Sequence, residues 1–232
     1  MQRLVVAPWA RRRGEPDPAV LTRWQAAVAD FTLGLVRRIG GARFRSFPRI
    51  PGRAGTLVVM NHQSLLDIPL VIKCTAERYP RIVTRGRYAK GVPLVSHMLA
   101  LYRHPLVEPG LMTEEKLAEL GATARTSEHP IVIFPEGTRS RDGHIGRFQR
   151  AGLRAMLQAR DWDVWVVVGD GMWRCARLAD FVRGIGSVEV RMLADGPLHF
   201  SPAQDHVDAF IDDLQGRMVS GLERLRDGSV PS

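Results

Sequence analysis

Cysteine is nearly absent from this sequence: Cys74 and Cys175 are the only two in 232 residues. They form no Cys-x-x-Cys pair and no framework of bridges, which sets aside a disulfide-stapled scaffold and a zinc ribbon. They read as two reduced thiols. Lysine is scarce as well. Lys73, Lys90 and Lys116 are the whole complement, so arginine carries most of the positive charge. No segment approaches the ~18 uninterrupted apolar residues of a transmembrane helix. The opening stretch MQRLVVAPWARRRGEPDP lacks the long apolar core and clear cleavage site of a signal peptide. Repeats and low-complexity tracts are missing too. The basic charge is accompanied by no recognition-helix or RNA-module signature, which argues against a nucleic-acid partner.

What is present is a globular composition, 45% hydrophobic and 25% charged, with 33 Lys+Arg against 24 Asp+Glu and a formal charge of +9. Such a surface suits an anionic lipid or a phosphorylated substrate. The length suits one α/β domain better than two. Strand-like runs at 55–62, 81–85, 130–137, 163–171 and 187–196 alternate with helical patterns at 64–77, 92–102, 113–127, 148–160 and 201–226. That alternation predicts a single domain with a largely parallel or mixed central sheet flanked by helices. The expected organisation is an N-terminal segment over 1–40, a main domain over 41–226 and a frayed tail over 227–232.

Residues 17–40 predict an amphipathic helix, capped by Asp17 with Pro18 in its first position. Val20, Leu21, Trp24, Val28, Phe31 and Leu35 recur at helical spacing, with Arg23, Arg37 and Arg38 elsewhere around it. Two readings stand. The helix packs on the core, or it rests on a membrane surface with its arginines near anionic headgroups.

Two polar stretches interrupt apolar runs where strands end. The first is NHQSLLD, residues 61–67. Ser64 or Asp67 can cap the following helix, and Asp67 can fold back onto the His62 ring. A carboxylate on one ring nitrogen fixes the tautomer and leaves the other nitrogen as a base. The alternative is a plain capping Asp and a satisfied turn His. No second His or Cys lies at ligand spacing, so a metal is not expected. The second stretch, FPEGTRSRDG over 134–143, offers Glu136, the Gly137 backbone, the Thr138 hydroxyl and Arg139 in a tight turn suited to an anion. It lacks the Gly-Lys-Ser/Thr of a nucleotide phosphate loop.

In this order and spacing, NHQSLLD and FPEGTRS resemble the glycerolipid acyltransferase family, which includes 1-acylglycerol-3-phosphate acyltransferases. The resemblance covers roughly residues 50 to 200. It implies that His62 is the general base, that Asp67 orients it, and that Glu136, Gly137, Thr138 and Arg139 bind the acceptor's phosphate. Asn61, Ser64, Arg87 and Arg150 are candidate supporting residues, the last within GRFQRAG, which is similar to the family's basic helix start. The family usually carries Asp-Arg after an apolar run between the two motifs. This chain has Glu108-Pro109 there, leaving Arg85, Arg87, Lys90 and Arg103 as candidates for that arginine's work.

The implied reaction moves a fatty acyl group from acyl-CoA or acyl carrier protein to a lysolipid hydroxyl, in phospholipid biosynthesis, with the thioester as co-substrate and no cofactor. The simplest acceptor is 1-acyl-sn-glycerol-3-phosphate. Alternatives are another lysolipid such as a lyso-ornithine lipid, hydrolysis of the acyl thioester, or a non-catalytic anionic-lipid-binding role. The implied location is peripheral, on the cytoplasmic side of an anionic membrane surface.

Overall fold

The computed structural model describes residues 17–45, 47–75, 77–88, 95–108, 110, 112–173 and 188–228. The stretch before residue 17, Lys90, Pro109, Cys175 and the tail from 229 lie outside them.

Helix α1, Pro18–Gly40, begins and ends for local reasons. Asp17 accepts from the Ala19 amide, Pro18 opens the first turn, and Gly41 closes the helix at φ 66 with its N–H on the Arg37 carbonyl. Short β1, Arg43–Phe44, follows, then β2, Thr56–Met60, and α2, Asp67–Cys74. The predicted strand over 81–85 is two strands, β3 (Arg81–Ile82) and β4 (Thr84–Arg85), which serve different sheets. Helix α3, Val95–Leu101, leads to β5, Leu106–Val107. Helix α4, Glu114–Thr126, is capped by Thr113, which accepts from the Lys116 amide. Strand β6 is Ile131–Ile133, α5 is Arg150–Leu157, β7 is Trp162–Asp170, β8 is Glu189–Phe200, and α6 is Val207–Arg226.

The Ser-Pro start expected for the last helix is not its start. The Asp205 carboxylate accepts from the Ser201 amide at 2.6 Å, and the Asp205 amide donates to the Ser201 carbonyl at 2.8 Å. That closed turn uses the capping groups before the helix begins. The predicted helix at 64–77 is likewise shorter, because residues 63 and 64 spend their amides on Asp67.

The main sheet has the order β1-β8-β7-β2-β6-β3, and β4 pairs with β5 separately. Every neighbouring pair is parallel except β7 with β8. Strand β2 lies between β6 and β7, and each of its five residues is buried, as expected of a parallel strand covered on both faces. Leu57 and Val59 face a layer built from α4, α5 and α6, through Leu120, Leu153, Met156, Ile211, Leu214 and Met218. Val58 and Met60 face the other way, toward Leu33 and Val36 of α1 and Leu70 and Val71 of α2. A period of two along the strand thus feeds two cores.

Helix α1 does not carry its apolar residues on one face. Leu21, Gln25, Ala29, Leu33 and Val36 point inward, whereas Phe31, Leu35 and Ile39 are exposed at 72%, 47% and 81%. Trp24, expected on the interfacial stripe, packs with Leu21, Tyr79 and Tyr102 instead. The first half of the helix is stitched down by Thr22 Oγ1, which accepts from the Tyr79 amide, and by the Leu21 carbonyl, which accepts from the Tyr102 hydroxyl. Cys74 is buried, its thiol pushed up to about 12 by that burial, the condition of an inert structural cysteine.

Beneath this region, His104 Nδ1 accepts from the Ile82 amide at 2.8 Å. Burial, with the Arg81 charge adding, pushes the imidazole down to about 4. The unfolded chain therefore holds more protons than the folded one between about pH 4 and pH 6.5. The contribution is present above the unfolded value and is lost as pH falls toward the folded one. Denaturant unfolding should show stability dropping across that window by roughly 1–3 kcal/mol. His104→Asn, whose side-chain oxygen can replace Nδ1 as acceptor, should flatten the drop; an unchanged slope would remove His104 as its source.

Candidate active site

Strands β2 and β6 run parallel in register, with Val59 beside Ile133, so the segments that leave them emerge at one edge of the sheet. Binding and catalytic groups gather at such edges because the strands are rigid and the exits are free to vary.

The exit from β2 is fixed residue by residue. Asn61, 1% exposed, forms a reciprocal pair with Gly169: its Nδ2 donates to the Gly169 carbonyl and its Oδ1 accepts from the Gly169 amide. The end of β2 is thereby sutured to β7, and Asn61 has its amide committed to backbone. His62 follows. Its amide donates to Glu136 Oε1 at 2.8 Å, and its carbonyl accepts from the Ser140 amide at 2.7 Å. Its ring stacks on Phe134 with centroids 4.4 Å apart. The ring Nδ1–H donates to Asp67 Oδ2 at 2.8 Å, and the side chain keeps 17% exposure.

Asp67 is the first residue of α2 and is 3% exposed. The same Oδ2 also accepts from the amides of Gln63 and Ser64 at 2.6 and 2.7 Å. The charge sits at a helix N-terminus, where the backbone dipole favours an anion. With Nδ1 donating, the imidazole lone pair is on Nε2. Ser64, 2% exposed, closes the turn through its backbone, and its hydroxyl accepts from the Leu66 amide at 3.4 Å.

The exit from β6 is a closed loop. The Gly137 amide donates to the Phe134 carbonyl, and the Gln149 amide donates to the Pro135 carbonyl. Gly137 stands at φ 66, where L side chains are strained, and an added Cβ would lie 3.2 Å from Gln149. Two expectations for this loop change. The Gly137 N–H is taken by the turn itself. Glu136, expected at the acceptor's phosphate, has both carboxylate oxygens on backbone amides. One oxygen accepts from His62 and the other from the Gly146 amide at 2.7 Å, and the side chain is buried. Burial raises the Glu136 carboxyl above its usual range, against the two amide hydrogen bonds that lower it. Glu136 is a brace between the two exits. Thr138 is exposed at the turn and Arg139 is partly so.

The remaining candidates divide. Arg85 donates from Nε to the Gly137 carbonyl at 3.0 Å, so it supports the turn. Arg87 is exposed, donates to the Tyr88 hydroxyl at 2.8 Å and lies over that ring. Arg150, expected to support the site, is engaged elsewhere: its guanidinium pairs with Asp208 and Asp212 at the start of α6. Its place as the first residue of α5, beside the start of α6, sends it toward that helix rather than toward His62. Glu108 lies against Gly86, where an added Cβ would meet its carboxylate oxygen. Sequence reasoning missed Phe134 as the ring's stacking partner and Gln63 as part of the scaffold. Both stand inside the quoted stretches, but nothing in their spacing marks either role. Among the described residues, no three His, Cys, Asp or Glu side chains group as metal ligands.

A histidine ring held by a buried carboxylate where parallel strands end is an arrangement that can deprotonate a hydroxyl or water. The chain belongs to the Acyltransferase family and is an acyltransferase: the family model matches residues 43–169, just over half of the chain and including both stretches. Among solved structures, the crystal structure of the 1-acyl-sn-glycerophosphate acyltransferase PlsC from Thermotoga maritima matches with a TM-score of 0.62. The match covers 90% of this chain and 88% of that one at 18% identity, and the likeness is one of fold. A search of curated proteins finds no match.

Replacing Glu136 by Gln would keep one acceptor and set an NH2 against a backbone N–H. An unsatisfied buried donor costs about 1–3 kcal/mol, so Glu136→Gln should lose roughly that much stability and at least about tenfold in turnover. A variant as stable and as fast as the parent would show that the brace is dispensable.

Proposed function

We propose that the protein transfers a fatty acyl group from acyl-CoA or acyl carrier protein to the hydroxyl of a lysolipid, with 1-acyl-sn-glycerol-3-phosphate as the simplest acceptor, in phospholipid biosynthesis. The observation that carries the reading is the His62–Asp67 contact at the strand edge that also bears the Thr138–Arg139 turn. His62 Nε2 takes the proton of the acceptor hydroxyl as its oxygen attacks the thioester carbonyl. The tetrahedral intermediate collapses, the carbon–sulfur bond breaks, and the imidazolium returns its proton to the departing thiolate. The products are the acylated lipid and a free thiol. Asp67 stabilises the imidazolium and holds the tautomer throughout. Arg139 and the Thr138 hydroxyl take the acceptor's phosphate, with a charge-assisted contact from the guanidinium.

The acceptor lives in a bilayer interface, and no helix among the described residues is long and apolar enough to cross one. Phe31, Leu35 and Ile39 form the exposed stripe of α1, four residues apart, with Arg37 and Arg38 in its last turn. Leu65, three residues past His62, is 54% exposed. Apolar side chains beside arginines match an anionic bilayer surface, so α1 serves both readings: its inner face packs on the core and its outer face meets lipid.

Purified protein given labelled acyl-CoA or acyl carrier protein and a panel of lysolipids should form diacyl product identifiable by mass spectrometry. His62→Ala should reduce that product about 100- to 10,000-fold while melting like the parent. A folded His62→Ala protein of near-normal activity sinks the mechanism, and free fatty acid as the main product points to hydrolysis.

Phe31→Glu/Ile39→Glu should stay folded, since both side chains are exposed, and should lose co-sedimentation with anionic vesicles. Binding of the parent should weaken at high salt. Undiminished vesicle binding by the variant would move the membrane contact elsewhere.

A further inference from the structure

The C-terminal helix reaches the active-site scaffold through its last residue. Arg226 Nε donates to Asp170 Oδ2 at 3.0 Å, and its Nη2 donates to Asp170 Oδ1 at 3.1 Å and to the Gly143 carbonyl at 2.7 Å. Asp170 closes β7, and Gly143 belongs to the loop that leaves β6. One planar cation therefore joins the ends of three elements that are distant in sequence. A lysine, with a single point of charge, could not reproduce that fork.

Both arms lead to His62. Asp170 Oδ1 also accepts from Gln63 Nε2 at 3.1 Å, while Gln63 Oε1 accepts from the Met172 amide at 3.0 Å. Gln63 is 2% exposed, and its backbone N–H is one of the donors on Asp67 Oδ2. A continuous path thus runs from Arg226 through Asp170 and Gln63 to the carboxylate that holds the His62 ring. On the other arm, the loop clasped at Gly143 sends the Ser140 amide to the His62 carbonyl and the Gly146 amide to Glu136. The clasp is tight. Gly143 stands at φ 80, and an added Cβ would lie 2.8 Å from both Arg226 Nη2 and Trp173 Nε1. Burial opposes the charge on Asp170, yet its hydrogen bonds from Arg226 and Gln63 prevail and hold the carboxyl below its usual range.

We propose that Arg226 is a positioning residue for acyl transfer: by locking Asp170 and the 140–146 loop together it keeps Gln63, and through it the His62–Asp67 pair, in reactive geometry. The inference rests on His62 as the base. Arg226 and Asp170 lie outside residues 43–169, the span that the family model matches. A purely structural role would lower the melting temperature and leave turnover per folded molecule alone. A positioning role lowers kcat, because small displacements of a base raise the barrier without weakening ground-state binding.

The test uses the full chain with acyl-CoA and the lysolipid it acylates best, well below each variant's melting temperature. Arg226→Gln should lower kcat about tenfold, with both KM values within about twofold. Arg226→Lys should recover part of that loss, since an ammonium can still meet Asp170. Gln63→Met cuts the path in its middle, so adding Arg226→Gln to it should slow the enzyme by no more than about twofold further, the non-additivity of one connected network. Losses that multiply in the double variant, a loss confined to KM, or a folded Arg226→Gln protein with parental kcat would each overturn the proposal. Should Arg226→Gln fail to fold, Asp170→Asn carries the same expectation and the same refutations. If His62→Ala is inactive while Arg226→Gln is not slowed, this inference alone fails; if His62→Ala is active, the reading of the dyad fails first.

Discussion

One carboxylate oxygen organises the reactive end of this protein. Asp67 Oδ2 accepts from the His62 ring and from the Gln63 and Ser64 amides at once. Because the two amides belong to the residues that follow His62, the carboxylate fixes the turn and the ring together. The ring cannot rotate without losing a hydrogen bond in a buried site, and the turn cannot open without releasing the ring. Such a group is worth more than a free imidazole of the same basicity, since its orientation is settled before any substrate arrives.

That oxygen would hold nothing in place if the turn itself could drift. The Asn61–Gly169 pair ties the turn to β7, and Glu136 and Ser140 tie it to the exit of β6. The two neighbours of β2 in the sheet thus both anchor it. Buried polar side chains make these anchors, and each of Asn61 and Glu136 has both ends of its head group satisfied. This is the condition under which buried polar networks add rigidity instead of cost. The polar residues that interrupt the β2 and β6 runs divide accordingly. Most of them build the frame, and His62, Thr138 and Arg139 are the ones proposed to meet substrate.

Helix α1 packs on the core with one face and leaves apolar residues outside on another. Apolar residues along it exceed what one face can hold. Leu21, Leu33 and Val36 complete the core, and Phe31, Leu35 and Ile39 remain outside. A helix covered on one side by α2 and apolar on the other is suited to lie between a protein layer and a lipid layer. Its basic last turn follows the same logic, since arginine there complements the helix dipole and suits the proposed anionic surface.

The sequence by itself determined the local features. Asp17 and Thr113 cap the helices they precede, the run at 56–60, apolar after Thr56, is a doubly buried strand, and His62 and Asp67 meet because a five-residue separation closes a single turn. These outcomes depend on neighbours along the chain, and the order of the two polar stretches indicated the family. What tertiary structure alone decided are the pairings across the fold. Glu136 became a brace because β6 lies beside β2. Arg150 went to α6, and Ser201–Asp205 closed a turn of its own. Asp170, Gln63 and Arg226 came together at separations no periodicity encodes. A side chain's capacity to hydrogen-bond is written in its chemistry, but its partner is chosen by which backbone ends the packed sheet delivers within about 3 Å of it, and that choice is made only when the layers close.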